Sequence, residues 1–168
     1  MHKMKYIIPV LVLLAFAAKA QESKEFVIDG KVKNKLTINL ASLKNYKMVS
    51  LDSLVIFNHL LERKSNIKNV KGVALKDILS RVTIDEASPK KLSEYYLVCT
   101  ATDNYKVVFS WNEVFNAKAE NNILILLSFD ADPKKTEKGN IAMITTSDVA
   151  SGRRFVKGLS KISILQVN

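Results

Sequence analysis

Asn122-Ile123-Leu124-Ile125-Leu126-Leu127-Ser128-Phe129 carries five large aliphatic side chains in succession before Ser128. A strand with one wet face alternates polar and apolar residues, whereas a strand covered on both faces reads as an unbroken apolar run. The stretch has strand length and predicts a central strand with packed side chains on either side. Just upstream, Ser110-Trp111-Asn112-Glu113 has the spacing of a capping box, in which the hydroxyl takes an amide three residues on and the carboxylate reaches back. That predicts a short helix through Phe115, stopped at Asn116. Further back, Tyr95–Thr100 and Lys106–Phe109 are β-rich runs on either side of Asp103-Asn104-Tyr105, the pattern of a hairpin.

Leu75, Ile78, Leu79 and Val82 fall at i, i+3, i+4 and i+7, which predicts a helix over Gly72–Val82 with one buried stripe. At the front, Phe26-Val27-Ile28 with Val32, and then Leu36–Leu40, are separated by Asp29-Gly30 and Lys33-Asn34, both turn dipeptides. These predict paired strands, followed by a helical turn over Ala41–Tyr46. Lys47–Phe57 returns to strand patterning, although Leu54–Leu61 reads equally well as helix. Asp85–Lys91, with Pro89, is a polar connection, and Asp130–Asn140 is a charged loop holding Pro133 and Gly139. Ile141–Thr145 and Ile162–Val167 close the chain as strands around Ser151–Leu159. Many strands with few short helices between them predict one α+β domain built on mixed β-sheet, with no repeat or linker to divide it.

His2, Lys3 and Lys5, the thirteen apolar residues Tyr6–Ala18, and the small residues of Ala18-Lys19-Ala20 before Gln21 have the layout of a secretory leader. The apolar part is shorter than the roughly twenty residues a membrane-spanning helix needs, so no transmembrane anchor is expected after cleavage. The expected mature chain is 21–168, in the periplasm or outside the cell. Of the 168 residues, 48% are hydrophobic, with five Gly and three Pro, which excludes a disordered or fibrous chain. The formal charge of +10 becomes +7 once Lys3, Lys5 and Lys19 leave with the leader. A basic balance invites nucleic acid, but export argues against it. The lysines are also scattered, and no aromatic residues interleave with them as stacking platforms. Attraction to an anionic ligand or lipid surface stays open.

After the leader the chain offers one His, His59, and one Cys, Cys99. A protein-built transition-metal site needs several such ligands at set spacing. Cys99 sits in an apolar strand, where a thiol is buried and inert. There is no glycine-rich phosphate loop, and Asp130 with Asp132 lacks the remaining ligands of a calcium loop.

Four motifs remain. Gly72-Val73-Ala74-Leu75-Lys76-Asp77-Ile78-Leu79, Cys99-Thr100-Ala101-Thr102-Asp103-Asn104-Tyr105, Gly139-Asn140-Ile141-Ala142-Met143-Ile144 and Arg153-Arg154-Phe155-Val156-Lys157-Gly158-Leu159-Ser160-Lys161-Ile162 follow in this order. In order and spacing, over nearly all of Phe26–Val167, they resemble the oxidoreductase molybdopterin-binding domain of the sulfite oxidase family. In that family the first motif reads roughly Gly-Val-Pro-Leu-x-Asp-Leu-Leu, the second ends Asp-Gly-Tyr, and the last reads Arg-x-Val-Lys-Trp-Leu-x-x-Ile. The resemblance implies a mixed α+β fold, with a pterin pyrophosphate and molybdenum held by polar groups and one Cys thiolate. It puts Arg153, Arg154 and Lys157, together with Asp103, Asn104 and Tyr105, around that pocket.

The chain departs from the family at the metal. The ligating Cys belongs upstream of Gly72, after a strand ending near Phe57, yet Lys47–Lys71 contains no Cys, and Asn58-His59 stands at about that place. Asn104 replaces the turn Gly, and Gly158 replaces the Trp. The expectation is therefore an exported, non-catalytic relative with no resident cofactor and no catalytic or metal-ligating residue. Its basic pocket around Arg153, Arg154 and Lys157 would serve an anionic small molecule or an envelope protein partner. The alternative is a molybdopterin-dependent oxidoreductase in which His59 or water completes the metal site. A third reading is a purely structural partner of another envelope protein.

Overall fold

The structure, a computed structural model, describes residues 23–118, 123–130 and 141–167. The leader, the loop 131–140 with Asp132 and Pro133, and the Gly139-Asn140 start of the third motif lie outside the described residues. Strand β1 (Glu25–Gly30) pairs antiparallel with β2 (Leu36–Asn39). Asn39 then caps α1 (Leu40–Leu43): its side chain accepts from the Ser42 amide at 2.9 Å, and the Ser42 hydroxyl accepts from the Asn39 amide at 2.9 Å. A long hairpin follows, β3 (Met48–Phe57) and β4 (Arg63–Ala74), then α2 (Leu75–Leu79). A second hairpin, β5 (Tyr95–Ala101) and β6 (Lys106–Ser110), leads into α3 (Trp111–Phe115). The remaining elements are a 3-10 helix over Pro89–Glu94 ahead of β5, then β7 (Ile123–Asp130), β8 (Ala142–Thr145), a 3-10 turn over Ser151–Arg154, β9 (Val156–Lys157) and β10 (Leu159–Gln166).

These strands form two five-stranded sheets, ordered β2-β1-β10-β5-β6 and β3-β4-β7-β8-β9. The last strand of the chain therefore threads into the middle of the first sheet. It lies parallel to β1, with Val27 opposite Lys161, and antiparallel to β5, with Cys99 opposite Ile162. Gly30 ends β1 at φ +94°, where a Cβ would fall onto the Ile164 backbone, so this close approach demands glycine.

The β7 run does what its composition requires. Ile123 and Ile125 enter the core between the sheets, with Phe26, Ile28, Leu97, Phe109, Ile162 and Ile164. Their neighbours Leu124 and Leu126 enter a second core with Ile56, Ile67, Val70, Ile144 and Phe155. Alternate side chains of one strand thus hold two cores, each fully buried aliphatic group contributing roughly 2 kcal/mol of burial energy.

The expected α+β class is what the structure shows, with α2 and α3 short and β-structure dominant. The expected hairpin, the capped helix after Ser110 and the central strand are all present. Leu54–Phe57 belongs to a strand and not to a helix. The helix expected over Gly72–Val82 is only Leu75–Leu79, because Gly72–Ala74 complete β4, a twelve-residue strand. The buried stripe is placed as read: Leu75, Ile78 and Leu79 are buried, and Val82 packs against them. Within β4 the pairing slips between Lys68 and Lys71, and Asn69 adopts φ +49°. This irregularity breaks the period-two signature and hides the strand.

Truncating Ile125 to Ala should cost about 3 kcal/mol in urea denaturation, since it opens a cavity in the core between the sheets. A loss below about 1 kcal/mol would show that β7 is not held on the face it turns to the core between the sheets.

Candidate functional site

The Asp103-Asn104-Tyr105 segment is a tight turn between β5 and β6. The Asn104 amide donates to the Ala101 carbonyl at 3.1 Å, and the Tyr105 amide donates to the Asp103 side chain at 3.0 Å. Asn104 adopts φ +68°, a left-handed conformation that Asn tolerates better than other residues with a Cβ. The Tyr105 hydroxyl donates to the Arg153 carbonyl. The second and fourth sequence motifs therefore meet in space.

The other side of this junction is set by the 3-10 turn. The Ser151 hydroxyl donates to the Val55 carbonyl at 3.1 Å and accepts from the Phe57 amide at 3.1 Å. Gly152 lies so close to the end of β3 that a Cβ would sit 2.8 Å from the Phe57 carbonyl. Tyr105, Asp148, Val149, Ala150, Arg153 and Arg154 line a cavity of about 590 Å³ at this junction.

The two arginines have different fates. Arg154 grips Asp148 with two nitrogens, at 2.7 and 2.5 Å, and Glu113 with a third contact at 2.7 Å. Its guanidinium also lies over the Phe109 ring, 4.2 Å from the centroid. The bonds to Asp148 raise its pKa most, burial opposes them, and Glu113 adds to the rise, so Arg154 stays charged throughout. Burial by itself would raise the Glu113 carboxyl. Hydrogen bonds from Arg154 and Ser110, with the Arg154 charge, outweigh it and hold the group below its ordinary value. Arg153, in contrast, is exposed and makes no ion pair with any described residue. The Lys157 ammonium rests 5.2 Å from the centre of the Phe155 ring.

The expected trio of cations does not converge. Arg154 is committed to two carboxylates, and Lys157 turns toward Phe155, so Arg153 is the cation left facing the cavity. Motif reading did not link Asp148 and Glu113 to Arg154, because they lie 6 and 41 residues from it and neither separation is a recognisable spacing. The capping box at Ser110 was the available hint, since it already fixed the Glu113 side chain.

His59 is exposed on the β3–β4 turn, and its ring bonds to no described residue. Cys99 is fully buried in β5, facing the core between the sheets, and burial pushes its thiol up to about 12. No group of three His, Cys, Asp or Glu side chains among the described residues is placed to hold a metal ion. The thiol of Cys99 is thus withdrawn from solvent, and the Arg154 guanidinium is already paired with two carboxylates.

No family model matches the chain, and no curated protein matches it. Among solved structures the chain is similar to the sulfane dehydrogenase SoxCD from Paracoccus pantotrophus. The two share 12% identity at a TM-score of 0.56, over 83% of this chain and 37% of that one. The likeness is one of fold. The chain spans well under half the length of the enzyme chain it matches.

Replacing Arg154 by Ala should lower stability by about 2 kcal/mol at neutral pH. Glu113 titrates below its ordinary value in the folded protein, so its share is present above the ordinary glutamate pKa of about 4.3 and is lost as pH falls through the folded value. The gap between wild type and Arg154→Ala, followed by urea denaturation, should therefore narrow in acid. A gap unchanged down to about pH 3 would assign the effect to packing on Phe109 instead.

Proposed function

We propose that the chain is an exported, non-catalytic binding module that keeps the fold of a molybdopterin-binding domain without its metal chemistry. What supports this is that Cys99 is buried, its thiol pushed up to about 12, while Arg153 is exposed in the wall of a cavity. The Tyr105 hydroxyl anchors the Arg153 backbone, which leaves the side chain to meet a ligand. A planar guanidinium suits a carboxylate or phosphate group, and the one acidic residue in this lining, Asp148, is engaged by Arg154. The ligand class is a small anion.

An envelope protein partner is the second reading, supported by exposed apolar groups at the same end. Val149, beside Arg153 in the cavity wall, is 74% exposed. Leu60 and Leu61 are 64% and 55% exposed on the turn that begins after Phe57. That turn is stiff: the Asn58 side chain accepts from the Leu60 and Glu62 amides, both at 2.9 Å, and donates to the Glu62 carboxylate at 2.9 Å.

Thermal melting of the mature chain with citrate or pyrophosphate tests the small-anion reading. A ligand at a hundredfold excess over its Kd stabilises by about 2.7 kcal/mol. Arg153→Ala should remove that gain while leaving the melting point without ligand nearly unchanged. No stabilisation by either anion would overturn the small-anion reading in favour of the protein partner. An equal gain in the variant would remove Arg153 from the site.

A native-state thiol titration accompanies it. Cys99 should resist an aromatic disulfide reagent at pH 8 and react fully in denaturant. Rapid reaction in the folded protein would return the thiol to the list of candidate ligands.

A further inference from the structure

A second and larger concavity, about 1030 Å³, adjoins the same β5–β6 turn. Tyr105 faces the cavity at Arg153, whereas Asn104 faces this groove, which runs over the outer face of the first sheet. The pleat decides what lines it. Cys99 and Ala101 on β5 and Ile162 and Ile164 on β10 point into the core, so Val98 and Thr100 on β5 and Lys161 and Ser163 on β10 point out. In the cross-strand register Thr100 stands opposite Lys161 on one side and opposite Lys106 on the other. Two lysines thus flank one threonine, with backbones two strand spacings apart, about 10 Å.

A third lysine joins them at the entrance to β1. Ser23 is buried, and its hydroxyl donates to the Glu25 carbonyl at 3.0 Å and to the Leu159 carbonyl of β10. This pins the adjoining Lys24 at the groove edge. Lys24 and Lys106 make no ion pair with any described residue, and the one carboxylate near Lys161 is Asp29, at 4.0 Å. The second Asp29 oxygen is occupied by the Ser163 hydroxyl at 2.7 Å. Glu25 is the acidic residue in the lining. The Thr100, Thr102 and Asn104 side chains face the same space and bond to no described residue.

We infer that this groove is a binding site for a soluble small molecule carrying two or more phosphate or sulfate groups. Ammonium groups are effective point charges for such oxyanions, and three lysines around one concavity suit more than one anionic group. Threonine hydroxyls and the Asn104 amide supply neutral donors between the charges. The lining holds no aromatic side chain, so a stacked base is not served. This inference stands apart from the Arg153 cavity and does not require it.

Inorganic tripolyphosphate is the probe, followed by amide chemical shifts of the 15N-labelled mature chain. The expected result is saturable shifts centred on Thr100, Thr102, Lys106 and Lys161. Binding should weaken about tenfold or more in the Lys106→Gln/Lys161→Gln variant, with a smaller loss for Lys24→Gln alone. These exposed side chains leave the core untouched, and the dispersed amide spectrum of each variant verifies folding. Shifts centred on Arg153, insensitive to the glutamine substitutions, would overturn the groove and leave the cavity reading intact. Weak, unsaturable shifts at lysines all over the surface would overturn it as well. Cosedimentation with phosphatidylglycerol vesicles, without a localised tripolyphosphate response, would assign the charge to a lipid surface and also overturn it.

Discussion

The architecture depends on β7 being apolar on both faces. A strand that cannot present either side to water must be covered twice, and the chain meets this by laying the first sheet over one face, while on the other Leu124 and Leu126 pack among side chains of their own sheet and Phe155. The first sheet in turn needs a central strand, which β10 supplies by inserting between β1 and β5. Closing that sheet draws Ser23 against Leu159 and sets the β5–β6 turn beside the loop that carries Arg153. The cavity and the groove are both consequences of where the last strand is forced to lie.

The charge arrangement follows the same logic. Arg154 has to cross apolar ground, above the Phe109 ring, and is held there because two carboxylates neutralise it. A cation compensated in this way is a brace between the loop before β9 and the start of α3. It is no longer available to a ligand. Arg153, one residue earlier, is spared that role and projects from the surface. Two adjacent arginines of identical chemistry therefore end in opposite environments, decided by the carboxylates within reach.

Much of this was legible in the residues. Ile123–Leu127 announced a strand with two covered faces, the capping box at Ser110 announced α3, and Asp103-Asn104-Tyr105 announced a turn. β4 was hidden, because its apolar residues Ile67, Val70 and Val73 are three apart, and the irregular pairing near Asn69 is what lets all three be buried in a strand. The parallel pairing of β1 with β10 was also beyond reach, since no local pattern links segments separated by over a hundred residues. At the site, the motifs that hold Tyr105 and Arg153 do meet, through the bond from the Tyr105 hydroxyl to the Arg153 carbonyl. Motif reading overcounted the free cations, because ion pairing with Asp148 and Glu113 is a tertiary fact with no spacing signature. The lysine groove escaped it for a related reason: Lys24, Lys106 and Lys161 become neighbours through the sheet register and not through the sequence.

The reading we propose is of a chain that shares a fold with a molybdenum enzyme without sharing its metal chemistry. Its most direct test is elemental analysis for molybdenum and tungsten, with pterin fluorescence, on mature protein purified from a host that makes the cofactor. The account predicts metal and pterin far below one equivalent per chain. Near-stoichiometric metal together with pterin would contradict it, and would make His59 the first residue to substitute.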